Sequence, residues 1–134
     1  MYAPPVPETA RPAVLIADDE SILRRLMRRV LESGGHIVRE AADGDEALDA
    51  LRTGHGNIDV VVLDLGMPPH GSLTTLERVL ALRPDVGIVL TSGLPPDPDV
   101  GALLLRHRGL FLQKPFAPDA LQRAVSSLAP KRAE

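Results

Sequence analysis

Five short apolar runs, each followed by a stretch with the period of an amphipathic helix, constrain this chain more than any other feature. Ala13-Val-Leu-Ile-Ala17 is apolar and ends at acids. Ile22, Leu23, Leu26, Met27, Val30 and Leu31 then recur on one helical face until Ser33-Gly-Gly35 stops them. His36 to Glu40 reads as a weaker strand near an edge, and Asp43-Gly-Asp-Glu46 opens a second helix carrying Ala47, Leu48 and Leu51. Ile58 to Leu63 is the most strand-like run, β-branched and nearly all apolar. Leu73, Leu76, Val79 and Leu80 mark a third helix, and Val86 to Leu90 another buried strand. Val100, Leu103 and Leu104 predict a shorter fourth helix, Gly109 to Gln113 a fifth strand, and Leu121, Ala124, Val125 and Leu128 a fifth helix.

Continuous apolar strands between amphipathic helices imply a parallel sheet covered on both faces. Five such units fit an α/β, doubly wound, flavodoxin-like fold with a five-stranded parallel sheet and five helices, and are too few for an eightfold barrel. The domain is expected over 13–129 of the 134 residues. Residues 1–12, with four prolines, read as a disordered arm, and 130–134 as a short polar tail. The proline-rich Leu94-Pro-Pro-Asp-Pro-Asp99 should delay the start of the fourth helix.

Composition narrows the chemistry. With no Cys, disulfides, thiolate metal sites and Cys nucleophiles are excluded. The aromatics are only Tyr2, Phe111 and Phe116, too few for a base-stacking platform. A net charge of −3 argues against direct nucleic-acid binding. No apolar run approaches the roughly 18 residues that cross a bilayer, and the start lacks the pattern of a secretory signal, so a cytoplasmic protein is expected.

In doubly wound folds the ligand site lies beyond the carboxyl ends of the strands. The first run is followed there by Asp18, Asp19 and Glu20, the third ends in Asp64, the fourth runs into Thr91 and Ser92, and the fifth into Lys114. Clustered carboxylates repel unless a cation joins them. Oxygen ligands with room for water suit Mg²⁺ or Mn²⁺. An open carboxylate site beside a lysine suits a phosphoryl group. Singly, each residue has a plainer role: a helix cap for Asp18 and Asp19, a loop acid for Asp64, a turn hydroxyl for Thr91 or Ser92, and a solvated charge for Lys114. Glu20 reads as first-turn charge on the first helix.

Val14-Leu-Ile-Ala-Asp-Asp-Glu20, Val61-Val-Leu-Asp-Leu-Gly-Met-Pro68, Val89-Leu-Thr-Ser-Gly93 and Phe111-Leu-Gln-Lys-Pro-Phe116 together resemble the receiver domain of bacterial two-component response regulators (CheY-like). The resemblance covers about 12–129. It implies that Asp64 accepts a phosphoryl group from a histidine kinase or phosphotransfer protein. It implies that Asp19, Asp64 and the Gly66 backbone carbonyl ligate Mg²⁺, with Asp18 holding a metal-bound water. Lys114 would pair with the phosphoryl oxygens, a hydroxyl at the end of the fourth strand would meet them, and Phe111 would swing inward as the switch aromatic. Family members place that hydroxyl before a small residue and about 22 residues ahead of the lysine. Ser92 precedes Gly93 and 114 − 92 is 22, whereas Thr91 gives 23, so Ser92 is favoured and Thr91 stays open. Such a domain catalyses only its own phosphorylation and dephosphorylation. It would signal to a downstream effector through the face built from the fourth helix, fifth strand and fifth helix.

The chain departs from the pattern in two places. Phe111 lacks the hydroxyl of the tyrosine often found there, and Gly66 offers no side chain beside the acceptor. Gly66 also counts against the main rival, a Mg²⁺-dependent phosphohydrolase with an Asp nucleophile, because such enzymes typically carry a second acid at that position. A flavodoxin-type small-molecule module would need a Gly- or Ser-rich phosphate loop where Asp18-Asp-Glu20 stands. Arg24, Arg25, Arg28 and Arg29 form a basic stripe that reads as a solvated face or a docking patch. The Leu-Thr-Ser-Gly and Phe-Leu-Gln-Lys-Pro-Phe segments resemble hybrid-kinase receivers most, and a stand-alone regulator and an excised receiver both fit.

Overall fold

Each apolar run becomes a strand of one parallel sheet, and each periodic stretch a helix laid across it. The computed structural model describes residues 11–53, 57–67 and 72–130. Its elements run β1 (Ala13–Ala17), α1 (Ser21–Ser33), β2 (Ile37–Ala41), α2 (Gly44–Arg52), β3 (Val60–Asp64), α3 (Ser72–Leu82), β4 (Gly87–Ser92), α4 (Pro98–Arg106), β5 (Gly109–Gln113) and α5 (Pro118–Leu128). The sheet order is β2-β1-β3-β4-β5, and every pairing is parallel. Most of the expected arm, residues 1–10, and of the tail, 131–134, lies outside the described residues, as does Pro68.

The side-chain period of two sorts each strand between two cores. Leu15, Val61, Leu63, Ile88 and Leu90 face one layer with α2, α3 and α4, while Val14, Ile16, Val60, Val62 and Val89 face α1 and α5. All five residues of β3 are buried, as befits a central strand read as one apolar run. Each such side chain withdrawn from water contributes about 1.5–3 kcal/mol before chain entropy is set against it. The order reverses between β1 and β3, which opens a crevice beyond their carboxyl ends.

Local signals shape the helix ends. Asp43 caps α2 by accepting from Glu46 N (2.8 Å), and Asp97 caps α4 by accepting from Val100 N (2.9 Å). The prolines do hold α4 back to Pro98. After α1 the chain turns through Gly35 at φ 94°, a conformation that glycine reaches without penalty.

Some boundaries differ from expectation. β3 starts at Val60 because the Asp59 carboxylate accepts from Ala13 N (2.8 Å), tying off the sheet's lower end. β4 extends through Thr91 and Ser92, which are strand residues. Leu73, expected on the buried stripe of α3, is 38% exposed in the helix's first turn. His107, expected to continue the helical spacing of Val100, Leu103 and Leu104, lies just beyond α4, as its C-cap.

Candidate functional site

The reversal between β1 and β3 places Asp18 just beyond β1 and Asp64 at the end of β3, in adjacent rows of the sheet. Asp18 is fully buried, Asp64 is 8% exposed and Asp19 faces solvent. One carboxylate oxygen from each lies within 4.8 Å of the other two. The plain reading of Asp18 as a helix cap does not describe it. Its Oδ1 accepts from Glu20 N (2.8 Å), and Glu20 itself holds the N-cap position of α1 without a side-chain cap bond.

Lys114, just past β5, reaches back across the sheet. Its Nζ donates to Asp18 Oδ2 at 3.0 Å and stands 3.6 Å from Asp64 Oδ1 and 3.5 Å from Glu20 Oε1. Lys114 is therefore not a solvated surface charge. Burial pulls its pKa down, but the hydrogen bond and charge of Asp18, with Asp64 and Glu20, more than offset this and leave the ammonium above its ordinary value. Burial pushes the Asp64 carboxyl above the usual aspartate value, and the charges of Asp18 and Asp19 add to the rise. The Gly66 N–H, which donates to Oδ1 (3.1 Å), and Lys114 oppose it.

The two hydroxyls part company. Ser92 is half-buried and its Oγ accepts from Leu94 N (3.1 Å), which leaves its O–H free to donate. Thr91 is fully buried beside Asp64 in the β3–β4 register. Lys114 N donates to Ser92 O (2.7 Å), so the backbone carrying the hydroxyl and that carrying the ammonium are joined directly. Phe111, opposite Leu90, is already half-buried against the core on the α4 side. Gly66 is exposed, and a Cβ there would stand 3.7 Å from Asp64 Oδ1, so the approach to Asp64 carries no second acid at that position.

One supporting residue escaped the sequence reading. Arg24, grouped there with the basic stripe, donates from Nη1 to Asp18 O (2.7 Å) and from Nε to Glu40 Oε1 (2.8 Å). Arg28 also pairs with Glu40 (2.9 Å). The hydrogen bond from Arg28, reinforced by Arg24, holds the Glu40 carboxyl below its usual range despite partial burial. Arg24 thus pins the backbone behind the acids and Arg28 shares its Glu40 partner, while Arg25 and Arg29 are exposed surface. A lone acid near the end of an otherwise mixed edge strand was the available signal.

The donor set suits a hard divalent cation. Three carboxylates against one ammonium leave a formal charge of −2, all donors are oxygen, and the exposed Asp19 side is open for water or a phosphoryl oxygen. Nothing in the set singles out Mn²⁺.

The model of the response regulator receiver domain matches residues 14–126. The chain is 34% identical over 119 residues to the sensor kinase CckA of Brucella abortus and 32% identical over 124 residues to the C4-dicarboxylate transport transcriptional regulatory protein DctD of Rhizobium meliloti. These matches cover 89% and 92% of this chain but only 13% and 26% of those proteins. Among solved structures, a Francisella response regulator receiver domain superposes with a TM-score of 0.77 at 28% identity, covering 88% of this chain and 96% of that one. The Borrelia burgdorferi CheX–CheY–BeF3–Mg²⁺ complex gives 0.77 at 27% identity, covering 87% of each chain.

Proposed function

The chain belongs to the response regulator receiver domain family of two-component signalling, and from that premise we propose that Asp64 takes a phosphoryl group from a phosphohistidine on a histidine kinase or phosphotransfer protein. The observation that carries this reading is the meeting of Asp18, Asp19, Asp64 and Lys114 at the ends of separate strands.

A carboxylate oxygen of Asp64 attacks phosphorus, the P–N bond to the donor imidazole breaks, and that ring nitrogen keeps the bonding pair. Burial and neighbouring carboxylates make negative charge at Asp64 costly, so the site needs cationic partners before it takes on a phosphoryl group. Lys114 then exchanges Asp18 for the new phosphoryl oxygens, and the free O–H of Ser92 donates to them. Mg²⁺ held by Asp19, Asp64 and the Gly66 carbonyl, with Asp18 behind a bound water, would supply positive charge against the acids and the incoming phosphoryl group. The domain takes up and releases this group on its own side chain and turns over no separate substrate.

Phosphorylation shifts an equilibrium between two conformations, read at the α4–β5–α5 face by a downstream effector. Leu105, 90% exposed, and Leu110, 39% exposed, support that face. No helix among the described residues is long and apolar enough to cross a membrane, and we place the exchange in the cytoplasm. Similarity to parts of both a sensor kinase and a transcriptional regulator suits a receiver in either setting.

Incubation with acetyl phosphate and Mg²⁺ should add one hydroxylamine-labile phosphoryl group, absent in Asp64→Asn. Full labelling of that variant would overturn the assignment. Loading with beryllofluoride should alter hydrogen exchange across 93–113, and a change confined to the neighbourhood of Asp64 would overturn the output face.

A further inference from the structure

Among the described residues, two buried side-chain oxygens lack a hydrogen-bond partner, Gln122 Oε1 and Thr91 Oγ1. Gln122 is half satisfied, since its amide nitrogen donates to Ser126 (3.2 Å), and it packs against Gly34, far from the acids. Thr91 is fully buried, with its hydroxyl unpaired, one strand from Asp64. Buried hydroxyls are seldom left so, because the state that leaves them unpaired bears the desolvation penalty.

Register fixes where this hydroxyl sits. Thr91 pairs with Asp64 across β3–β4, so both side chains leave the same face of the sheet. On the other side Thr91 pairs with Leu112, two residues before Lys114 and of the same facing. Thr91 thus stands between the strand that bears the acceptor and the strand that bears the ammonium. Ser92, the next residue, faces the opposite way, and its Oγ already takes the Leu94 N–H.

We propose that Thr91 is a positioning residue of the acceptor site, whose hydroxyl finds its partner only when Asp64 is phosphorylated and then donates to an oxygen of the loaded side chain. This rests on Asp64 being the acceptor. The unpaired hydroxyl raises the free energy of the unloaded state alone, and its hydrogen bond lowers that of the loaded state. Both effects pull the equilibrium toward loading. Ser92 meets the phosphoryl group from the strand end, while Thr91 steadies the carboxylate from within the sheet. Valine has nearly the shape of threonine, so Thr91→Val removes the hydroxyl while keeping the packing.

The test measures beryllofluoride binding in the presence of Mg²⁺ and thermal melting of the unloaded chain. Thr91→Val should weaken loading about tenfold, the scale of one hydrogen bond, yet melt no lower than the wild type when unloaded. Thr91→Ser should restore loading. Wild-type loading by Thr91→Val would overturn the proposal. So would a Thr91→Ser variant as weak as the valine form, because packing would then be the cause. A marked drop in melting for unloaded Thr91→Val would also overturn it, by showing that the hydroxyl is paired before loading. Asp64→Asn serves as the control: if it loads like the wild type, the acceptor assignment itself fails, whatever Thr91 does.

Discussion

The β1–β3 centre and the α4–β5 flank are built to opposite specifications. Every residue of β3 is buried, and Val14 to Asp18 show no exposure at all. β5, an edge strand, is exposed or half-exposed along its whole length. α4 has nine residues, of which Val100 and Leu104 are buried, and its leader Leu94 to Asp97 lies open to solvent. The acids thus project from deeply buried strands, while the surface proposed to report on them is largely exposed. Regions with few buried contacts open at lower free energy. On the proposed switching, a change at Asp64 would meet a packed wall on one side and a sparsely buried element on the other. Between them runs β4, whose end carries Thr91 toward one region and Ser92 toward the other.

The contrast is tested most severely by leucine truncation on each side. Leu63→Ala removes a side chain with no exposed surface and should cost about 2–5 kcal/mol in urea denaturation. Leu105→Ala removes one that is 90% exposed and should stay within about 0.5 kcal/mol. Equal losses would mean that Leu105 is held by something the fold does not reveal, and the two regions would no longer differ in kind.

A smaller effect separates stability from chemistry. A Cβ at Gly109 would lie 2.4 Å from Leu104 Cδ2 and 3.1 Å from Leu104 Cα. The leucine tip can rotate away but the α4 backbone cannot, so Gly109→Ala should lift α4 from β5 at about 1–3 kcal/mol. Labelling of Asp64 by acetyl phosphate should keep its wild-type rate, since nothing along β1 or β3 moves. A labelling rate that falls with the stability would show that the flank and the centre act as one unit.

The same contrast explains what could be read from the sequence. β1 and β5 fall on the predicted residues because acids, glycine or polar residues bound them sharply. β3 was placed too early because Asp59 sits inside an apolar run, and only the sheet reveals that its carboxylate is spent on Ala13 N. Leu73 fits the helical period, but period says nothing about which turn stands clear of the core. The meeting of Asp18, Asp64 and Lys114 was legible because the strand ends of this topology converge, although the first and last are 96 positions apart. The Arg24–Glu40 tie and the orphaned Thr91 hydroxyl were not, because both depend on which side chains meet across separate elements. Helix periodicity alone made Arg24 one more basic residue on a stripe.

The smallest expected effect concerns the cost of keeping three acids in the rigid centre. Burial first, then Asp18 and Asp19, hold the Asp64 carboxyl above its ordinary value, so at pH values between the two the folded chain keeps a proton that the unfolded chain has lost. Stability from this group is therefore full below the ordinary aspartate pKa of about 3.9 and is lost as pH rises through the higher folded value. Asparagine carries no charge at any of these pH values. Asp64→Asn should accordingly melt a few degrees higher than the wild type at neutral pH, about the shift that 1 kcal/mol produces in a domain of this size. The gap should close as pH falls below the ordinary aspartate range, where both side chains are neutral. Lys114 does not reverse the sign, because its hydrogen bond is to Asp18, which the substitution leaves in place. Added Mg²⁺ should narrow the neutral-pH gap by stabilising the wild type more than the variant. A variant that melts lower at neutral pH would mean that Lys114 and the Gly66 amide outweigh the burial of Asp64. The centre would then be a settled ion-pair network, not a strained site awaiting charge.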